Sequence, residues 1–458
     1  MLPIQDDVPK RQNIAVIGTG IAGMSAAWMI SKHHHVTVFE KNQRIGGHSN
    51  TVDVPTRDGT IPVDTGFIVL NDRNYPNLVA LFDHLGVDIS DSDMSFAASI
   101  NNGAIEYSGS DFNGLIGRRR NLLSMRYWRM IKDILRFYRE APKLLAENPQ
   151  AALADTEQSL GDYLAANRYS DAFIQDHLLP MGAAIWSTKA VDMLAYPVSA
   201  FVAFFASHGL LTLNDRPQWK SVISGSRAYV KKLTAPFKDR IRSGAVQVNR
   251  HDDRVEVQDA EGNWHQFDQV VIAAHADEAL KLLDDADGVE SDILGAFRYT
   301  PNRAVLHKDP ALMPKRKRVW SSWNYLSESG GSEEDALCVT YWMNRLQRLE
   351  TKEDIFVTLN PVHEPDPATI VESIDYQHPL FDRAALQAQC RLSEIQGARR
   401  TWFCGAYFGH GFHEDGLQSG LAVAENITGA KRPWTVAGES NRIAHTLEPI
   451  PAPRIAAE

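Results

Sequence analysis

The chain has 458 residues, a formal net charge of −10 and 44% hydrophobic residues. This length exceeds what one simple core accommodates, so we expect two interleaved domains in a folded soluble protein. The acidic balance argues against a general nucleic-acid-binding protein. The three cysteines, Cys338, Cys390 and Cys404, lack metal or redox spacing, and residues 1–12 lack the apolar core of a secretory signal. We therefore expect a cytoplasmic protein without a metal site.

A strand, a glycine-rich turn, a helix and a second strand follow one another in residues 13–48. Residues 14–17 are an apolar run typical of a buried parallel strand. Residues 24–32 are rich in alanine and compatible with a helix, and residues 36–39 predict the second strand. In this context a glycine-rich turn binds a dinucleotide.

The turn itself has the pattern G-x-G-x-x-G, formed by Gly18, Gly20 and Gly23. Gly18 permits the tight turn, Gly20 lets the backbone approach a pyrophosphate, and Gly23 allows close packing of helix on strand. The helix N-terminus points N–H groups at the phosphates. Glu40 lies about 20 residues beyond the turn, where its carboxylate can accept ribose hydroxyls.

The nine residues from Glu40 to His48 read Glu-Lys-Asn-Gln-Arg-Ile-Gly-Gly-His. This resembles the E-x(3)-R-x-G-G-[RHN] run of FAD-dependent oxidoreductases of the flavin amine oxidase and phytoene desaturase superfamily, in its bacterial branch of NAD/FAD-binding proteins. In that superfamily the Gly46-Gly47 turn would lie along the FAD pyrophosphate. His48 stands where many members have arginine, so the resemblance is closer for FAD binding than for amine oxidation.

Residues 401–429 resemble the C-terminal FAD motif of the same superfamily. Residues 402–404 end a predicted strand at Gly405, a glycine-rich loop follows, and a helix starts near Asp415 or Gly416. The resemblance implies that this helix points its N-terminus at the flavin pyrimidine. Its dipole would there stabilise negative charge on the reduced flavin.

The resemblance implies an α/β fold in which a discontinuous Rossmann-like FAD-binding domain carries an inserted α+β substrate domain and a helical subdomain. The expected FAD-binding pieces are residues 1–72, 221–290 and 396–430. The other expected pieces are a mainly helical substrate or lid region at 73–220, the antiparallel sheet of the substrate domain at 291–395, and a poorly ordered tail at 431–458.

The resemblance also implies a set of cofactor-binding residues. They are Gly18, Gly20, Ile21, Ala22, Gly23, Glu40, Lys41, Gly46, Gly47, His48, Thr65, Gly66, Phe67, Val246, Gly405, Asp415, Gly416 and Leu417. Thr65 to Phe67 belong to a segment expected near the flavin ring, for which a plain β-turn is the alternative. Val246 is expected beside the adenine, and covalent attachment of the flavin through His48 stays an open alternative.

The catalytic residues stay unassigned at this point, because flavin itself performs most of the chemistry. His410, His413 and Glu414 are the candidates, since they lie in the motif that faces the flavin. A histidine there is either a base near neutral pH or a hydrogen-bonded structural group.

Two further stretches have unusual composition. Residues 118–145 combine many arginines with apolar and aromatic residues. This pattern fits either a helix on an anionic membrane or, as we favour, a surface helix that meets the protein's own carboxylates. Residues 193–213 are nearly free of charge, which favours a buried helix lining an apolar cavity over a membrane span.

These features predict an FAD-dependent oxidoreductase that takes hydride from an apolar, fatty-acyl or isoprenoid-like substrate. The alternatives are an amine oxidase, a reduced-flavin isomerase or mutase, and a membrane-associated flavoprotein without turnover. We expect no nucleic-acid partner. The expected location is cytoplasmic, with peripheral contact to the inner face of the membrane as an open alternative, and the oligomeric state is open.

Overall fold

The computed structural model describes residues 11–109, 114, 116–117, 119–147, 158–186, 193–212, 216–328 and 338–443. The helices are α1 Ile21–Ile30, α2 Pro76–Leu85, α3 Met125–Glu140, α4 Lys143–Glu147, α5 Leu160–Ala166, α6 Asp171–Phe173, α7 Leu179–Trp186, α8 Val198–Ser207, α9 Arg227–Thr234, α10 Ala276–Leu282, α11 Gly288–Gly295, α12 Met343–Leu346, α13 Arg383–Gln389 and α14 His413–Thr428. The strands are β1 Asn13–Ile17, β2 His35–Glu40, β3 Thr51–Thr56, β4 Gly59–Asp64, β5 Val69–Asn71, β6 Ile89–Asp91, β7 Phe96–Ile100, β8 Ile105–Ser108, β9 Trp219–Val222, β10 Ile241–Ser243, β11 Ala245–Arg250, β12 Val255–Asp259, β13 Trp264–Phe267, β14 Gln269–Ile272, β15 Arg298–His307, β16 Trp323–Leu326, β17 Cys338–Trp342, β18 Phe356–Leu359, β19 Ile370–Leu380 and β20 Thr401–Phe403.

The chain divides into two compact units, each assembled from separate pieces. The described part of the first unit comprises residues 11–47, 229–297 and 388–443. The second unit is made from 48–228 and 298–387. The first division follows Gly47, whereas the sequence placed it after residue 72. The assignment of these pieces to cofactor and substrate stays a prediction.

The first unit is built on a five-stranded parallel sheet of order β10–β2–β1–β14–β20. Residues 14–17 of β1 and 270–272 of β14 are apolar and buried, as expected of a parallel sheet with both faces covered. Ile17 lies opposite Phe39 and Ile272, and Ile272 lies opposite Phe403. The strands therefore end at one edge, where Gly18 and Gly405 follow β1 and β20. The predicted Rossmann-like α/β fold is confirmed.

The second unit contains a seven-stranded sheet of order β19–β15–β18–β17–β16–β7–β8. Its pairs are antiparallel except β16 with β7. Strands β15 to β19 lie within the predicted range 291–395, whereas β7 and β8 come from the region predicted to be mainly helical. The role of this sheet in a substrate domain stays a prediction. The hairpin β3–β4 and the small sheet β5–β9–β6 complete the strands of this unit. Helix α2 ends at Gly86, which adopts the left-handed conformation at φ 62° that glycine tolerates without steric cost.

The uncharged stretch forms the short helix α8, whose phenylalanines are buried. The ring centroids of Phe201 and Phe205 lie 4.2 Å apart, and those of Trp186 and Phe204 lie 4.5 Å apart. A buried helix is present as predicted, but it covers only residues 198–207 of the predicted stretch 193–213, of which residue 213 lies outside the described residues. The apolar cavity stays a prediction. Of the helices that the structure describes, none has the length and hydrophobicity needed to traverse a bilayer.

The segment that follows α14 packs against the first unit. Arg432 is buried and pairs with Glu425, with 2.9 Å between Nε and Oε1. The ring of Trp434 stacks on Trp28 with centroids 6.0 Å apart, and Ile443 is buried. These contacts correct the expectation of a poorly ordered tail for residues 431–443. Residues 444–458 lie outside the described residues.

Candidate cofactor-binding site

The glycines of the first motif serve different steric purposes. Gly18 has φ +104°, and a Cβ there would lie 2.5 Å from the carbonyl oxygen of Ala273. A Cβ on Gly23 would lie 2.0 Å from the oxygen of Gly18. Real Cβ atoms do not approach this closely, so the turn and the packing of α1 on the sheet require glycine at both positions. Both roles were predicted from the sequence.

Gly20 differs because the space beside it is open. A Cβ at this position would meet no atom within 4 Å. Gly20 is the N-cap of α1, whose first-turn N–H groups, including those of Ile21 and Ala22, have no carbonyl partner within the helix. The dipole adds partial positive charge at the same end. An open, electropositive cradle at the carboxyl edge of a parallel sheet fits the pyrophosphate of a dinucleotide.

The Glu40 carboxylate at the end of β2 organises the turn. Its Oε2 accepts hydrogen bonds from the backbone N–H and the hydroxyl of Thr19, with 2.9 Å to the nitrogen, and its Oε1 accepts from the N–H of Asn42 at 2.9 Å. The hydroxyl of Thr19 in turn accepts from the N–H of Gly46 at 3.1 Å. Oε1 also accepts from Nδ2 of Asn42 at 3.2 Å. These four donors match the roughly four lone-pair sites of a carboxylate, so a ribose hydroxyl would have to replace one of them, such as the Asn42 amide. Sequence reasoning missed Thr19, which occupies a variable position of the motif.

The Gly46-Gly47 turn packs directly on the first motif. Both residues have positive φ, at 118° and 58°. A Cβ on Gly47 would lie 2.9 Å from the Cα of Gly20. Within the first unit, the two glycine turns therefore share one wall of the candidate phosphate site.

Two predicted residues lie at the margin of this edge. The ammonium group of Lys41 pairs with Glu278, and the Lys41 side chain is mostly exposed. A Cβ on Gly244 would lie 2.6 Å from the Cα of Lys41, so β11 starts beside the end of β2. Val246 lies on β11 and is 53% exposed. Its contact with an adenine stays a prediction.

The second motif reaches the same place through α14, which begins at His413, close to the predicted start. A Cβ on Gly416 would lie 2.9 Å from the Cγ2 atom of Ile21, in the first turn of α1. The N-terminal turns of α1 and α14 are therefore neighbours. Segments almost 400 residues apart in sequence converge on one edge of one sheet.

The loop between β20 and α14 is tied to the helix by Ser419. The N–H of Gly405 donates to the hydroxyl of Ser419 at 3.0 Å. That hydroxyl lies 3.1 Å from the oxygen of Gly405 and 2.9 Å from the oxygen of Gly416. Leu417 is fully buried and belongs to the core. These contacts fix the position of the helix start relative to the sheet.

Asp415 has two partners within the protein. Its Oδ2 accepts from the N–H of Phe412 at 2.8 Å, which caps the helix, and its Oδ1 accepts from Nε of Arg442 at 2.8 Å. The carboxylate is fully buried. Sequence reasoning missed Arg442, which lies in the segment expected to be a tail. Contact between Asp415 and a cofactor stays a prediction.

The three catalytic candidates lie in different surroundings. His410 is exposed in the loop before α14. His413 is partly buried, its Nε2 lies 3.0 Å from the hydroxyl of Tyr229, and burial lowers its pKa to about 3. It is therefore neutral at pH 7 and a weak base, which favours the structural interpretation. Glu414 is fully buried, and its Oε1 accepts from Nε2 of Gln418 at 2.9 Å.

The remaining predicted residues form a cluster within the second unit. Gly66 approaches the backbone of His48 so closely that a Cβ would lie 2.2 Å from its oxygen. The N–H of Phe67 donates to the same oxygen at 2.7 Å. The hydroxyl of Tyr376 lies 2.9 Å from that of Thr65, and its ring stacks on His48 at 4.9 Å. Gly66 is therefore required where the backbone passes His48, and the location of Thr65 to Phe67 near a flavin ring stays a prediction. Tyr376 lies on β19. Sequence reasoning predicted neither this strand nor a role for Tyr376.

Nothing in the described part of the chain groups three or more histidine, cysteine or acidic side chains as a metal would need. Cys338 and Cys404 are buried, and burial raises the pKa of the Cys338 thiol to about 12. The chemistry available here is that of backbone N–H groups, a helix dipole and one carboxylate, which suits a phosphorylated organic cofactor.

Comparison with known proteins agrees with this geometry. Residues 16–85 match the model of the NAD(P)-binding Rossmann-like domain family. No curated protein sequence matches the chain. A fatty acid isomerase from P. acnes that produces CLA has a similar structure, with a TM-score of 0.64, 16% identity and coverage of 91% of this chain and 98% of that one.

Two amine oxidases have similar structures as well. Cyclohexylamine oxidase from Brevibacterium oxydans IH-35A gives a TM-score of 0.63 at 14% identity, with coverage of 91% of this chain and 100% of that one. Wild-type putrescine oxidase bound to putrescine gives a TM-score of 0.62 at 14% identity, with coverage of 92% and 100%. The chain therefore has the same fold as these two amine oxidases and the fatty acid isomerase.

Proposed function

We propose that the protein is an FAD-dependent oxidoreductase that removes hydride from an apolar, lipid-like substrate. The observation that carries the proposal is the convergence of two helix N-termini in the first unit, marked by the contact of Gly416 with Ile21. One electropositive helix end is enough for the pyrophosphate of a dinucleotide. A second helix end beside it supports a cofactor that carries negative charge at a second place besides the pyrophosphate. A reduced flavin is such a cofactor, because its ring carries negative charge.

The chain's own groups have distinct roles in this proposal. The first-turn N–H groups of α1 and the Gly46-Gly47 turn hold the pyrophosphate, and Glu40 accepts hydrogen bonds from the adenosine ribose. The N-terminus of α14 supplies partial positive charge. Flavin, when bound, supplies the hydride-accepting N5 atom. A protein base is not required, in keeping with the low pKa of His413, about 3.

The apolar character of the substrate is supported by α8 of the second unit. Its aromatic side chains and their neighbour Trp186 form a buried cluster of closely spaced rings, an apolar environment that supports an apolar ligand. The structure that resembles this chain and acts on a fatty acid makes a fatty-acyl chain the first class to test. An isoprenoid chain is the second class.

The experiment is anaerobic mixing of the flavin-loaded protein with candidate substrates while the oxidised flavin absorption is followed. An unsaturated fatty acid or an isoprenoid should bleach the flavin, whereas putrescine and cyclohexylamine should not. Bleaching by amines alone would contradict the proposed substrate and identify an amine oxidase.

A second arm separates oxidation from isomerisation, the activity of one similar structure. The protein is reduced first, and the fatty acid is then added without any electron acceptor. Conversion to an isomer under these conditions would identify a reduced-flavin isomerase. The proposed oxidoreductase should instead leave the substrate unchanged until an acceptor is supplied. Absence of turnover in both arms would leave a flavoprotein without catalysis.

A further inference from the structure

Exposed apolar side chains are concentrated in one short stretch of the second unit. In the described part of the chain, nine large hydrophobic side chains are exposed, and five of them lie between residues 122 and 135. They are Leu122, Leu123, Met125, Trp128 and Leu135. Leu123 is 87% exposed and Met125 is 73% exposed. Such a concentration marks an interaction surface, since single exposed apolar residues are usually scattered.

The same stretch contains α3, which has an unusual outward face. Its inward face is mainly apolar, with the buried side chains of Tyr127, Met130 and Phe137 beside one buried carboxylate, Asp133. Its outward positions follow the spacing i, i+3, i+4 and i+7 and mix apolar with cationic groups. They are Met125, Trp128, Arg129, Lys132, Leu135, Arg136 and Arg139. A helix that faces water alone would carry mainly polar residues there, whereas this mixture is typical of a helix at a membrane interface.

The charge of the stretch opposes that of the rest of the chain. Residues 118–145 contain nine lysines and arginines and two acidic residues, a formal charge of +7. The whole chain carries −10, so the other residues carry −17. A local cationic surface on an acidic protein attracts anionic partners. It also orients the protein so that this side of the second unit faces them.

A groove of about 480 Å³ lies along α3 and concentrates this charge. Five cationic and two anionic side chains line it: Arg129, Lys132, Asp133, Arg136, Arg139, Glu140 and Arg168. Both carboxylates already have partners, because Asp133 accepts from the N–H of Ser170 at 3.0 Å and Glu140 pairs with Arg136 and Arg139. Arg126 also pairs with Asp176, so part of the basic stretch meets the protein's own carboxylates, as the surface-helix interpretation expects. Among the described residues, Arg129 and Lys132 form no ion pair. The groove therefore offers donors to an external anion.

We propose that α3, with the turn Arg119–Leu123 before it, docks on the surface of an anionic phospholipid bilayer. The exposed apolar side chains enter the interface, and the groove binds a phosphate headgroup. An acidic peptide would satisfy the cations but would leave Leu123 and Met125 in water. A bilayer of anionic lipid satisfies both sets of groups. This docking is independent of the reaction proposed above and holds for any substrate.

The test is flotation of the full-length protein with vesicles of phosphatidylcholine alone or mixed in equal parts with phosphatidylglycerol. The protein should float with the mixed vesicles and stay behind with phosphatidylcholine alone. The variant Arg129→Gln/Lys132→Gln should lower the partition coefficient roughly 30-fold, because each cation near such a surface contributes about 1 kcal/mol. The variant Leu123→Ser/Met125→Ser should lower it roughly tenfold.

Matched controls separate this surface from general charge and hydrophobicity. Lys231→Gln/Lys238→Gln removes two exposed cations, and Val289→Ser removes an exposed apolar side chain, all in the first unit. Both controls should bind as the unaltered protein does, and all variants should keep its melting temperature. The proposal is overturned by failure of the unaltered protein to float with mixed vesicles, by equal binding to phosphatidylcholine alone, or by equal losses in the controls.

Discussion

A Cβ atom on Gly420 would lie 2.2 Å from the carbonyl oxygen of Ala22. These residues belong to α14 and α1, the helices that carry the two glycine motifs. The absence of a side chain at Gly420 lets the two helix backbones approach more closely than side-chain packing normally allows. The closeness of their N-termini, on which the proposed cofactor site depends, follows from this contact.

Replacement of Gly420 by alanine should separate the two helices. The added Cβ would also lie 2.5 Å from Oγ of Ser25, so the helices must move, at a cost of about 1–3 kcal/mol in the free energy of unfolding. Chemical denaturation measures this loss. Gly295→Ala is the matched control, since its Cβ would make only an ordinary contact at 3.7 Å with Leu280. Equal stability of the two variants would show that α1 and α14 are not in close contact.

Removal of Arg442 should destabilise the start of α14. Asp415 would keep a buried charge without its cation, a change that typically costs about 3–5 kcal/mol. Lys431 is the control from the same segment, because its side chain is 82% exposed and lies 3.8 Å from Glu425, so Lys431→Ala should change stability by less than about 1 kcal/mol. Thermal unfolding compares them. Addition of Asp415→Asn to Arg442→Ala should restore part of the loss, and an unaffected Arg442→Ala protein would contradict the pairing.

Asp64 should give the second unit a characteristic pH dependence. Burial raises the pKa of this carboxyl from 3.8 to about 6, although Thr51, Ser226 and Gln347 donate hydrogen bonds to it. The folded state thus holds the proton more tightly than the unfolded state. The contribution of Asp64 to stability is fully present below pH 3.8 and is lost as pH rises through about 6.

The variant Asp64→Asn isolates this contribution. The stability difference between the unaltered protein and the variant should shift by roughly 3 kcal/mol across that interval, at about 1.36 kcal/mol for each pKa unit. Denaturation curves at several pH values measure it. A difference that stays constant with pH would show that the carboxyl titrates normally.

Glu40→Gln should affect the glycine-rich turn before any cofactor is present. Both carboxylate oxygens accept from backbone N–H groups, those of Thr19 and Asn42. An amide can offer only one oxygen, so one N–H would face an NH₂ group, at a cost of about 1–3 kcal/mol. The melting temperature of the cofactor-free protein should fall accordingly. Unchanged melting together with weaker FAD binding would instead assign Glu40 to the ribose alone.

The parts of the fold that local backbone requirements determine were predictable from the sequence. Gly18 and Gly23 are needed because the backbone leaves no space for a side chain, and such constraints appear as fixed spacing in the sequence. Strands β1 and β2 were readable from residues 14–17 and 36–39. The same signals located the second motif, because it repeats the succession of strand, glycine turn and helix.

The parts of the fold and of the candidate site that were not predicted depend on contacts between residues whose spacing forms no recognisable sequence pattern. Arg442 meets Asp415 across 27 residues without periodic spacing, so no sequence rule points to the pair. Strand β19, which carries Tyr376, is an edge strand with polar exposed residues and Pro379, a composition that hides strand character. The proline-rich composition after α14 indicated disorder, but Arg432 and Trp434 provide specific contacts that outweigh it.

The most direct measurement of the central claim is the FAD content of the purified protein and of two glycine variants, read from the flavin absorption and from the mass of the released cofactor. Gly20→Ala has room for its Cβ in the folded chain but fills the space proposed for the pyrophosphate, whereas Gly288→Ala adds a Cβ in open space elsewhere. We predict FAD in the unaltered protein and in Gly288→Ala, and FAD affinity lowered roughly tenfold or more in Gly20→Ala with unchanged folding. Two results would contradict the claim that the first glycine motif binds FAD. One is a colourless protein that takes up no added FAD, and the other is a Gly20→Ala variant that binds FAD as tightly as Gly288→Ala does.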